Sequence, residues 1–142
     1  MEENINALDE INKGACMGMD AINFILDKTE DKNLTDEIKH QFDEYQKISC
    51  EIENIYSKYN DGNPHETSIM NKAMTWSGIE MRTMNDNSTS KLAELLVTGV
   101  NMGIIEGTRI LNRKKINKEV KNIVNKYVKM QETNLDNLKR YL

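Results

Sequence analysis

Apolar residues recur along this chain at alternating spacings of three and four, the period of a helix with one buried face. Leu8, Ile11, Ala15, Gly18, Ile22 and Ile25 line such a face and predict a first helix over about 4–28. After a polar break, Leu34, Ile38, Gln41, Tyr45, Ile48, Ile52, Ile55 and Tyr59 predict a second over about 35–60, in a nearly unbroken heptad pattern. Asn60-Asp61-Gly62-Asn63-Pro64 is strong turn chemistry and ends it. Beyond a shorter helical stretch at about 66–84, Asn85 to Ser88 supplies capping residues for a helix over 89–112. Its inner line is Leu92, Leu96, Gly99, Gly103, Glu106 and Ile110. A last helix, about 117–141, turns Val120, Val124, Tyr127, Gln131, Asn134, Leu138 and Tyr141 inward. No stretch alternates as a strand would. Helices of about 24 residues, each near 36 Å long, joined by short connections, predict a single all-α domain over 1–142. The expected architecture is an antiparallel four-helix bundle with the 66–84 helix added before the third long one.

Two features depart from ordinary amphipathic patterning. Gly99, Gly103 and Gly107 recur every fourth residue inside a helix, where each glycine costs about 1 kcal/mol relative to alanine. Close approach of a neighbouring helix is the expected reason. The second feature is a repeat. Gly14-Ala15-Cys16-Met17-Gly18 matches Gly99-Val100-Asn101-Met102-Gly103 at an offset of 85, which also pairs Ile25-Leu26 with Ile110-Leu111. Carried onward without a gap, it pairs Ile38 with Ile123, Phe42 with Tyr127 and Gln46 with Gln131. Two related helix pairs are expected, with the first and third long helices crossing closely at Gly14/Gly18 and Gly99/Gly103.

Two helix pairs related by a pseudo-twofold resemble the plan of the ferritin-like superfamily. The break before a capped long helix, with Trp76 ahead of it, resembles the small ferritin-like bundles of bacteria whose function is uncharacterised. That resemblance implies a di-iron centre built from one Glu on each of two helices and a Glu-x-x-His on each of the others. Aligned on the repeat, the single-Glu positions fall on Met17 and Met102, and the paired positions on Gln46/Ser49 and Gln131/Asn134. Neutral amides and thioethers do not offset the charge of two iron ions, so the centre is expected to be missing. The literal Glu37-Ile38-Lys39-His40, with Glu44 one turn on, faces away from the apolar line and reads as a surface pair.

Composition narrows the rest. The chain carries 30% charged residues, one proline and no apolar run near the roughly 20 residues of a membrane span. It opens Met-Glu-Glu-Asn rather than with a basic-then-apolar signal, so no membrane association and a cytoplasmic location are expected. Cys16 and Cys50 then read as free thiols. Residues 113–142 hold nine Lys and Arg against three acids, net +6, so the remainder carries −10 of the overall −4. The lysine face of the last helix has no aromatic partner for bases, which argues against a nucleic-acid partner.

No serine or cysteine stands in a nucleophilic arrangement with a histidine, and without strands there is no phosphate loop. The chemistry left over is Glu106, an acid among apolar residues, and a soft set of Met17, Met19, Met102 and Cys16 that copper(I) would accept. The reading that results is a non-catalytic ferritin-like bundle without cofactor. It acts through protein interaction or as a structural, stress-related component, as a homo-oligomer. Its contact surface is the methionine line Met70, Met74, Met81 and Met84. The alternative is a metal-binding or redox bundle with a divergent site near Glu106.

Overall fold

The computed structural model describes residues 2–59, 62, 64 and 77–142, and all regular structure among them is helical. Four long helices run Glu2–Leu26 (α1), Lys32–Tyr56 (α2), Thr89–Arg113 (α3) and Lys118–Lys139 (α4). Residues 77–83 form a short helical segment, the part of the expected 66–84 helix that lies within the described residues. Met70 and Met74 fall outside them. The caps follow from sequence. The Asp31 carboxylate accepts from the Leu34 N–H at 2.9 Å and starts α2 three residues ahead of the expected Thr35. Ser88 caps α3 through the Lys91 N–H at 3.2 Å and is itself positioned by Asp86.

α1 packs along α2, and α3 along α4, with further contacts of α1 to α3 and of α4 to both α1 and α2. The core between them is made of Leu8, Ile11, Ile22, Ile25, Leu34, Ile38, Ile52, Leu92, Ile110, Val124, Tyr127 and Leu138, each at most 1% exposed. Each such side chain contributes about 1.5–3 kcal/mol by leaving water. Ile79 and Thr83 seat the 77–83 segment, and Lys28 pairs with Glu80 at 2.5 Å to tie it to the end of α1. Polar ties between α2 and α4 climb one helix as they descend the other. Glu37 meets Asn137, Tyr45 meets Gln131, and Glu51 meets Lys126.

Buried positions recur between the two helix pairs, but not in the single ungapped register expected. Offset by 85, the buried Ala7, Leu8, Ile11, Ala15 and Ile25 of α1 coincide with the buried Leu92, Ala93, Leu96, Val100 and Ile110 of α3. The second helices coincide only at 86. There Leu34, Ile38, Gln41, Tyr45, Ile48 and Ile52 fall on Val120, Val124, Tyr127, Gln131, Asn134 and Leu138. From Ile110 to Val120 the chain therefore spends one residue more than from Ile25 to Leu34, their counterparts, and a one-residue slip turns a helical side chain by about 100°. Gln46, expected opposite Gln131, is consequently exposed, and Tyr45 holds the matching place.

The glycines also have a different reason from the one expected. A Cβ on Gly14 would strike the Tyr127 hydroxyl, and one on Gly18 would lie 2.7 Å from the Tyr45 ring. Gly103 makes room for Tyr127 and Gln131, and Gly107 for Val128. These glycines admit large side chains from α2 and α4 rather than a close crossing of α1 with α3. Gly99 makes room for nothing: no atom lies within 4 Å of where its Cβ would be. The inner line of α3 accordingly runs through Val100, Gly103, Gly107 and Ile110, which leaves Glu106 exposed rather than on the core face.

Gly99→Ala and Gly18→Ala share the same helix-propensity gain of about 1 kcal/mol and differ in what they meet. Gly99→Ala should stabilise the protein by about that amount. Gly18→Ala should fall below it by about 1–3 kcal/mol of overpacking. Urea unfolding of the two variants checks this, and equal midpoints would refute the assignment.

Candidate functional site

The place where a ligand would sit in a bundle, between facing helices at mid-length, is filled by the chain itself. Tyr45 comes from the buried face of α2, and Tyr127, Gln131 and Asn134 from that of α4, each at most 3% exposed. The helix period fixes their grouping, since Tyr127, Gln131 and Asn134 stand at i, i+4 and i+7 on one face. The Tyr45 hydroxyl donates to Gln131 Oε1 at 2.6 Å. Gln131 Nε2 donates to the Tyr127 hydroxyl at 3.0 Å, and Asn134 Nδ2 reaches Gln131 Oε1 at 3.4 Å. One amide thus joins both phenols, accepting from one and donating to the other. Gly14, Gly18 and Gly103 leave the volume that the two rings and the amide occupy.

Burial raises the pKa of Tyr45, the neighbouring Tyr127 raises it further, and its bonds to Gln131 and Asn134 work the other way. Burial likewise raises Tyr127, against the bond from Gln131. Both phenols are held neutral, as hydrogen-bonding groups rather than as bases. Away from this cluster Ser49 Oγ donates to Asn12 Oδ1 at 2.7 Å, and Gln41 Nε2 donates to Glu37 at 3.0 Å. Tyr56 bonds Asp9; burial first, then that carboxylate, pushes its pKa up to about 12.

The residues singled out from sequence are distributed differently. Gln131 and Asn134 are buried in the cluster; Ser49 is half-buried and engaged with Asn12; Gln46 is exposed. Met17 and Met102 are 42% and 58% exposed, so they do not fill the centre. The inner line of α1 passes through Ala15 and Gly18 instead, and that of α3 through Val100 and Gly103. Met81 and Met84 lie open to solvent at 73% and 77%. Glu37 and His40 border a shallow surface groove with Asn33, Asp36, Arg140 and Tyr141. Among the described residues no three His, Cys, Asp or Glu side chains group to hold a metal ion, and neither Cys16 nor Cys50 is in a disulfide. Sequence reasoning missed Tyr45 as a site residue because it treated that position as core. The signal was its heptad place, one residue before the Gln46 to which the ungapped repeat pointed.

The donor set does not fit a di-iron centre. At the paired positions the corrected register puts Tyr45 and Ile48 in α2 and Gln131 and Asn134 in α4. Opposite them stand Gly18 and Gly103. None carries the negative charge that two iron ions require, and the polar ones are spent on one another. No helix among the described residues is long and apolar enough to cross a membrane. Comparison with protein-family models, with curated proteins and with solved structures finds no match to this chain.

Removing the amide leaves two buried phenols short of a partner. Gln131→Leu should cost about 1–3 kcal/mol. Tyr45→Phe in the same chain should cost less than it does alone, a coupling above about 0.5 kcal/mol in a double-mutant cycle. Additive costs would show that the bond contributes nothing.

The tyrosines also set an alkaline limit. Unfolded, they lose protons near pH 10; folded, Tyr45 and Tyr127 hold theirs higher and Tyr56 to about 12. The folded state then binds more protons than the unfolded one, so stability is intact below pH 10 and falls as pH rises beyond it. Urea midpoints followed from about pH 8 to about pH 11 should drop only above pH 10, with part of the phenolate absorbance appearing on unfolding.

Proposed function

We propose that this chain is a ferritin-like antiparallel four-helix bundle whose metal site has been replaced by packing, and that it works without catalysis, through protein contacts. One observation carries this: the buried positions of α1 and α2 recur in α3 and α4 at offsets of 85 and 86, and Tyr45 and Gln131 occupy matching places. The long connection between α2 and α3, the pairing of α1 with α2 and of α3 with α4, and the opposed run of α2–α4 contacts support the topology. The neutral cluster at the centre supports the loss of a site that would need carboxylates. A homo-oligomer in the cytoplasm fits the open Met81 and Met84 and the absence of a disulfide at Cys16 and Cys50. The alternative of a metal or redox site near Glu106 gains nothing from its exposed position.

One preparation purified without a histidine tag tests the reading. Metal analysis should find no stoichiometric iron, manganese or copper, and light scattering should find a mass above the monomer. About one metal per chain or more, or a clean monomer at micromolar concentration, would overturn the respective half of it.

A further inference from the structure

The turn between α3 and α4 carries a charge pattern that the bundle does not use. Between residues 108 and 122 the exposed side chains are Thr108, Arg109, Asn112, Arg113, Lys115, Asn117, Lys118, Lys121 and Asn122. All are cations or neutral hydrogen-bonding groups; none is acidic and none is apolar. Among the described residues Arg109, Arg113, Lys115, Lys118 and Lys121 form no ion pair, although eight such pairs occur, two of them at this corner: Lys114 with Glu10 at a long 3.8 Å and Lys58 with Glu119. The acids at hand are committed. Glu119, half-buried, takes hydrogen bonds from Tyr59 at 2.5 Å and Lys58 at 3.1 Å, which hold its carboxyl below the usual range. Glu3 accepts the backbone N–H of Lys115. Glu106 bounds the patch one turn before Ile110.

The placement also works against the fold. Arg113 sits at the C-terminal end of α3, where a cation is favoured. Lys118 and Lys121 sit in the first turn of α4, where the helix dipole repels them, and the N-cap Asn117 turns its side chain to the Tyr59 hydroxyl at 3.3 Å rather than capping the helix. Cations held against the local field and without partners mark a position kept for something outside the fold.

We propose that this corner docks on the phosphate backbone of duplex DNA. Phosphate oxygens are contacted by Arg, Lys, Asn and Thr side chains, the set displayed here. The pairs Arg109/Arg113 and Lys118/Lys121 stand on two helices that pack on each other, so the cations are grouped at one corner, and duplex DNA presents one negative charge per about 1.7 Å of its axis. Single strands would call for stacking aromatics, and a membrane surface for apolar anchors beside the cations; the exposed side chains of 108–122 include neither. The negative body confines contact to this corner. Binding is then through phosphates alone, without base readout.

Fluorescence anisotropy with a 20-base-pair duplex of arbitrary sequence tests this, beside the matching single strand and phosphatidylglycerol vesicles. Five phosphate contacts give a slope near −4.5 in log affinity against log salt, a loss of about 500-fold between about 50 and 200 mM. Lys118→Glu with Lys121→Glu should weaken duplex binding by more than tenfold while raising the melting temperature, because it relieves the repulsion at the α4 start. Lys39→Glu, an exposed cation on α2, should leave binding unchanged. The proposal is overturned by no duplex binding at 50 mM salt, by a salt slope shallower than about −2, or by equal binding of single strand or vesicles. It is equally overturned if the Lys118/Lys121 variant still binds, or if the Lys39 variant loses as much.

Discussion

The bond from the Tyr45 hydroxyl to Gln131 Oε1 is the contact on which the interior depends. At 2.6 Å it joins α2 to α4 across the core, and Gln131 passes the connection to Tyr127 on its own helix. A buried amide satisfied on both sides costs little, whereas one left unpaired is expensive. The apolar contacts around it are tolerant of sliding; this pair is not. A turn of either helix by one residue would part the Tyr45 hydroxyl from Gln131 Oε1, so this bond adds to the register that the leucines and isoleucines set by burial.

That requirement explains the glycines. A tyrosine ring reaching from α2 or α4 to the middle of the bundle needs space on the facing helix, and Gly14, Gly18 and Gly103 supply it. Each costs helix stability, and the rings they admit recover it through burial and hydrogen bonding. Pseudo-symmetry shows the logic by exception. Gly14 faces Tyr127, but the residue matching Tyr127 in the other pair is Gln41, which is shorter, and Gly99, the counterpart of Gly14, faces open space.

Much of this was legible in the sequence. The spacing of Leu8, Ile11, Ala15, Ile22 and Ile25, and of the α2 and α4 lines, gives the buried faces correctly because helical periodicity depends on burial alone. The offset of 85 was legible for α1 and α3 for the same reason. What could not be read was the extra residue between Ile110 and Val120, since the period is lost where one helix ends and the next begins. From that one residue came the misplacement of Gln46 and Ser49 and the neglect of Tyr45. Glu106 and Gly99 were misassigned by a different cause: three glycines at fourth positions fit two adjacent lines of a helix equally well, and only their neighbours distinguish them.

The interior and the surface of this chain follow opposite rules. At the centre the departures from good helix chemistry are compensated: glycines by rings, buried phenols by an amide, Asn12 by Ser49. At the α3–α4 corner the departures stand uncompensated, with Lys118 and Lys121 at the wrong end of a helix dipole and no acid near that is not already engaged. Local rules are broken either where the fold makes up the cost or where something beyond the fold does. The first description suits the closed centre, where Tyr45, Tyr127, Gln131 and Asn134 are neutral and bonded to one another. The second suits the corner, where the proposed phosphate contact would supply from outside the charge that the fold does not.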